Sequence, residues 1–199
     1  MSRHMLIVGA AIAALSVAAC NKPATKTEGA ATPSEQAATP DANPAATVPT
    51  PSNEATATDF VPKAAASDMF EVEAAKLAQK RSTNVSVKKF AAMMITAHTE
   101  STAALKKALA DSNSTIVPPT ALPSDLQGKL DGLTKADNKD FDGKYADMMG
   151  EAHQDALNLM QRYAEDGDVP AIKAFAAATA PVVQHHLEMA KGLKEGMKQ

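Results

Sequence analysis

The chain has 199 residues, a formal net charge of −3, one Cys, no Trp, two Tyr and five Phe. That length allows one ordinary domain with appendages, and the near-neutral charge argues against a nucleic-acid binder, which carries a basic face or tail. A single Cys excludes an internal disulfide framework and a Cys-rich zinc site. The aromatics are Phe60, Phe70, Phe90, Phe141, Tyr145, Tyr163 and Phe175. The core is therefore drawn from the chain beyond residue 59.

Residues 1–19 read as a signal peptide. A short basic start is followed by an apolar run, Met5 to Leu15, too short to span a bilayer as a mature helix. Val17-Ala18-Ala19-Cys20 resembles the lipobox of bacterial lipoproteins, in which small residues precede a Cys that is lipidated before cleavage. The resemblance implies a membrane anchor on Cys20, stable once multiply acylated. Asn21, rather than Asp, after the Cys implies the outer membrane, with the domain in the periplasm or at the cell surface. Residues 20–58 hold Pro23, Pro33, Pro40, Pro44, Pro49 and Pro51 in an Ala/Thr/Ser background. With nothing large and apolar to offset the ordering entropy, this tract is expected to be a disordered, semi-stiff tether.

From residue 59 to 199 the apolar period is helical, and the expectation is an all-α, antiparallel four-helix bundle. The first helix, 59–81, carries Phe70, Ala74, Leu77 and Ala78 on one face; Ser82-Thr83-Asn84 then caps and turns. The second, 85–112, has Val87, Phe90, Met94, His98, Leu105 and Leu109. A proline-containing connection follows, in which 124–133 has the makings of a short helix. The third long helix, 138–166, shows Phe141, Tyr145, Met149, Ala156 and Tyr163, and Gly167 is expected to end it in a left-handed cap. Asp168 then starts the last helix, 169–196, with Pro170 in its first turn. The many methionines read as gap-filling core rather than copper ligands.

Several ordered motifs resemble one family. They are Phe60-Val61-x-Lys63-Ala64, Glu71-Val72-Glu73, Val87-Lys88-Lys89-Phe90-Ala91, Met94-x-x-Ala97-His98-Thr99, Phe141-Asp142-x-x-Tyr145, His153-Gln154, Lys173-Ala174-Phe175-Ala176 and Pro181-x-x-x-x-His186-Leu187. Together, over about 60–194, they resemble the bacterial envelope family called domain of unknown function 4142. That resemblance implies a ferritin-like bundle and says little about activity. Members usually carry Asp before the first of these histidines, where this chain has Ala97.

His98, His153 and His186 sit on apolar stripes of three different helices. With a rise of about 1.5 Å per residue, His98 lies roughly 22 Å below the Thr83 end and His153 roughly 21 Å below the Gly167 end. His186 falls about 28 Å down, and on the first helix Glu71 and Asp68 fall about 18 and 22 Å down. Glu71, His98, His153 and His186 thus form a candidate site for a transition metal such as Fe, Zn or Cu. A di-iron oxidase is not expected, because Glu-x-x-His pairs are missing: Ile95, Gly150 and Val183 stand three before the histidines. A mononuclear site and a metal-free His/Glu network both remain open. No catalytic nucleophile and no phosphate loop is present.

Two functions compete. One is a membrane-tethered periplasmic lipoprotein whose bundle binds an unidentified protein or small ligand, or supports envelope stress tolerance, without catalysis. The other is a ferritin-like metalloprotein that binds or oxidises a transition metal.

Overall fold

The computed structural model describes residues 55–197, so the expected signal peptide, Cys20 and the expected tether up to residue 54 lie outside the described residues. Five helices follow one another: α1 (Ala57–Arg81), α2 (Val85–Asp111), α3 (Ser124–Thr134), α4 (Asn138–Asp166) and α5 (Pro170–Gly196), with no strand among the described residues. The fold is an all-helical bundle, and the count is five rather than four. The additional helix is short, 11 residues, but it is held: Leu133 is buried, and Leu126 and Leu130 pack on the cluster around Phe70, Phe90, Phe141 and Tyr145.

Arg81, the last residue of α1, fixes the turn from α3 into α4. Its guanidinium donates to the carbonyls of Thr134 at 2.8 Å and Ala136 at 2.6 Å and to Asn138 Oδ1 at 2.8 Å, while lying 4.4 Å from the Phe141 ring centroid. Carbonyls at a helix end have no partner within the helix, and Arg81 supplies one. Between α1 and α2, Asn84 caps as its residue type suggests. Its Oδ1 accepts from the backbone N–H of Ser86 at 2.8 Å and Val87 at 3.3 Å. The α2 end is closed by Asn113, whose φ of 51° is left-handed, a conformation Asn tolerates better than most side chains.

The junction between α4 and α5 departs from expectation. Gly167 has φ −57° and ψ 138°, so it is extended and not left-handed. A Cβ there would lie 2.5 Å from the Tyr163 carbonyl oxygen and 2.6 Å from its ring. Glycine is needed for close approach, not for a special φ. Asp168 does not start α5, which begins at Pro170 after Val169. Its Oδ1 instead accepts from Tyr163 Oη at 2.8 Å and from the backbone N–H of Ala57 at 2.8 Å. The latter satisfies an otherwise orphaned donor in the first turn of α1 from across the bundle. That is why α1 starts at Ala57, buried to 3 % exposure, and why residues 55–58 belong to the folded body rather than to the tether.

The apolar interior falls into separate clusters. One gathers Phe60, Val61, Leu105, Leu109, Tyr163, Ile172 and Phe175, with Phe60 stacked on Tyr163 at 4.1 Å between ring centroids. Another gathers Phe70, Phe90, Met94, Phe141, Tyr145 and Met149. On each long helix, residues of a buried polar group fall between these two: Asp68 and Glu71, His98, His153 and His186.

Candidate metal centre

Each of the four long helices contributes to this group. On α1, Asp68 and Glu71 are three apart and so share a face; His98 comes from α2, His153 from α4 and His186 from α5. Glu71 and His153 are fully buried, and Asp68, His98 and His186 nearly so. The three imidazoles form an almost equilateral triangle, with ring centroids 5.3 Å (His98–His153), 5.7 Å (His98–His186) and 5.5 Å (His153–His186) apart. One nitrogen from each ring lies within 4.8 Å of the other two.

Neighbouring groups fix how the rings are turned. His153 Nδ1 is 2.8 Å from the Met149 carbonyl, an acceptor only, so Nδ1 carries the proton and Nε2 presents a lone pair. His98 Nδ1 is 2.8 Å from Asp68 Oδ1, and Asp68 Oδ2 accepts from Thr102 Oγ1 at 3.1 Å. His98 Nε2 then faces His153 Nε2 at 3.4 Å. That spacing is long for a hydrogen bond, whose N–H···O counterparts cluster near 2.9–3.0 Å. It matches the ligand–ligand edge of a tetrahedral ion with metal–nitrogen bonds of 2.0–2.1 Å, about 3.3–3.4 Å. His186 Nδ1 is buried without a hydrogen-bond partner among the described residues.

Glu71 approaches from the other side. Its Oε2 is 2.8 Å from His98 Nδ1 and its Oε1 is 3.4 Å from His153 Nδ1, the edges turned away from the converging Nε2 atoms. The structure therefore gathers all four predicted residues, but Glu71 meets the backs of the rings. The partner missed as a site residue is Asp68, although the 68/71 spacing on one helical face carried the signal. Met149's carbonyl had no signal, because a backbone acceptor leaves no mark in sequence. Ala97 costs His98 nothing in partners, since α1 supplies its carboxylates.

Charge follows from these neighbours. Burial alone would lower the His98 pKa, but the carboxylates of Glu71 and Asp68 overcome it and raise it to about 10. Burial pushes His186 down to about 4, helped by repulsion from His153 and His98, and likewise lowers His153. Burial would raise Glu71, yet the imidazoles, His98 foremost, hold it below its ordinary value; for Asp68 burial prevails and its pKa rises. Without metal, His98 is thus the charged ring. Its Nε2 faces the lone pair of His153 Nε2 at 3.4 Å, the far end of hydrogen-bond range.

The family model described as a domain of unknown function (DUF4142) matches residues 42–193. A crystal structure of a DUF305 fragment from Deinococcus radiodurans is similar in fold. It has a TM-score of 0.60 and 14% sequence identity, over 69% of this chain and 94% of that one. At that identity the likeness extends to the fold alone. No curated protein matches the chain. A match over three quarters of the sequence, taking in α1 to α4, α5 up to residue 193 and every member of the buried polar group, shows that the chain belongs to the DUF4142 family.

Proposed function

We propose that the protein is a tethered helical bundle that binds one divalent transition-metal ion through His98, His153 and His186. The observation that carries this is the 3.4 Å Nε2–Nε2 spacing of His98 and His153, the edge of a tetrahedral site, with each ring turned by an acceptor on its other nitrogen. The ion takes the place of the proton between the two rings. The carboxylates of Asp68 and Glu71 favour a cation there, and all-imidazole ligation suits Zn, Cu or Fe. We read the four long helices as an antiparallel, ferritin-like frame with α3 added at one end.

No Glu stands three residues before any of the histidines, so the pairs that build di-iron sites are missing and the reading is metal binding at a histidine site in place of a di-iron oxidase. The lipobox-like Val17–Cys20 and the proline-rich tract support export, lipidation at Cys20 and an outer-membrane tether that holds the site in the periplasm or at the cell surface. No helix among the described residues is long and apolar enough to cross a membrane.

Elemental analysis of the purified full chain tests the metal. A stoichiometric ion, lost in His153→Ala and His186→Ala, is expected; wild-type protein that binds none of Zn2+, Cu2+ or Fe2+ leaves only a buried polar network. Cys20→Ser tests the anchor. The variant is expected in the soluble periplasmic fraction or uncleaved at the inner membrane, and sedimentation with outer membranes like wild type would rule the anchor out.

A further inference from the structure

The three histidines use only one edge of His98. On its other edge, Nδ1 lies 2.8 Å from Asp68 Oδ1 and 2.8 Å from Glu71 Oε2. One N–H cannot serve both oxygens, and the aligned bond goes to Asp68. Both oxygens of Glu71, a residue with no exposed surface, are left without a hydrogen bond among the described residues. Two buried carboxylates, Asp68 and Glu71, thus converge on one edge of a single ring, and buried carboxylates are held by cations. One ligand atom each from Asp68, Glu71 and His98 lie within 4.8 Å of one another. Asp68 also lines an open groove of about 570 Å³ together with Glu73, Thr99 and Thr102, which brings solvent to the outer side of this carboxylate, while Glu71 and His98 lie behind it.

We propose a second cation position here, in which a divalent transition-metal ion is held by His98 Nδ1, Asp68 and Glu71, so that the His98 ring bridges two ions as imidazolate. The proposal rests on the metal reading of the three histidines. On binding, the Nδ1 proton leaves to solvent and the nitrogen lone pair forms the bond to the ion; no electron is transferred. Metal–ligand bonds of about 2.0–2.2 Å place neighbouring donors about 3.0–3.5 Å apart. The two carboxylates therefore retreat from their present spacing by a few tenths of an ångström, within reach of side-chain rotation. Asp68, Glu71 and the imidazolate set three negative charges against the four of two divalent ions. Nitrogen and carboxylate donors suit Zn2+ or Cu2+.

The test is a titration of the full-length protein, stripped of metal by a chelator, with Cu2+ alone. Bound copper per chain is measured by elemental analysis and the spins by electron paramagnetic resonance. Two ions per chain are expected, with a signal far below twice that of the singly loaded form, because a bridging imidazolate couples the two unpaired spins. Glu71→Gln, which keeps the shape and loses the charge, is expected to bind one ion and give the full single-copper signal. One ion in wild type overturns the second position and leaves the three-histidine site standing; none overturns both. Two ions with additive signals place the second elsewhere and overturn the bridge. Should Glu71→Gln lose its helical circular dichroism, the wild-type spin count alone decides.

Discussion

Asp68 holds His98 in place while being held itself: Oδ1 lies 2.8 Å from the ring Nδ1 and Oδ2 accepts from Thr102 at 3.1 Å. A carboxylate behind a ligating imidazole sets its tautomer and orientation, and its loss typically costs 10–100-fold in metal affinity. Asp68→Asn is expected to weaken Zn2+ binding by about that factor. Competition against a chromophoric chelator checks it, and unchanged affinity would mean that His98 orients itself.

The metal-free protein is expected to lose stability on both sides of the mid-sixes. His186, lowered to about 4 when folded, takes up its proton in the unfolded chain first. Stability therefore falls as pH drops from about 6.5, the unfolded value, toward the folded one. His98 has the opposite sign: raised to about 10, it contributes fully below about 6.5 and that contribution fades as pH rises toward its folded value. Each arm has a limiting slope of about 1.4 kcal/mol per pH unit for one proton. Urea midpoints from pH 4 to 9 check this, with His186→Ala expected to flatten only the acid arm and His98→Gln the alkaline arm.

Two glycines in or next to α4 are expected to respond with opposite signs. A methyl group at Gly167 would collide with the Tyr163 carbonyl and ring, the ring that stacks on Phe60 and donates to Asp168. Gly167→Ala should cost about 1–3 kcal/mol, the usual range for forced overpacking. At Gly143 a Cβ meets nothing within 4 Å, so Gly143→Ala should gain about 0.5–1 kcal/mol through helix propensity. Paired thermal melts decide, and equal effects would refute the packing account.

Deleting residues 1–54 is expected to leave the melting temperature unchanged. Deleting through residue 58 removes the Ala57 N–H bonded to Asp168 and the Ala55 carbonyl that accepts from Asp168 N at 3.2 Å. That fragment should melt several degrees lower. A shorter deletion that is already destabilised would mean the proline-rich tract packs on the bundle.

The helix boundaries were legible because caps and breakers are local: Asn84 and Pro170 each act on their own backbone, whereas the left-handed Asn113 that closes α2 was not read from the sequence. The level of the buried group was legible because helical rise is regular. His186 was the outlier, about 28 Å down when counted from Gly167. Residues 167–169 are not helical, and sixteen residues from Pro170 give about 24 Å, close to its partners. What stayed hidden was non-local: Asp168 capping a helix more than a hundred residues away, and Glu71 lying behind the rings instead of among their converging nitrogens. Neither follows from spacing along one helix.

The layer of imidazoles and carboxylates divides the interior between the Phe60–Tyr163–Phe175 cluster and the Phe70–Phe90–Tyr145 cluster. Coupling between the two clusters therefore runs through a layer in which these charged groups sit beside a small apolar set, Ala156, Leu157, Val183 and Leu187. An ion there acts as a rivet between two half-bundles: with it, amide protons at both ends should exchange in a single opening, and without it each end should acquire its own.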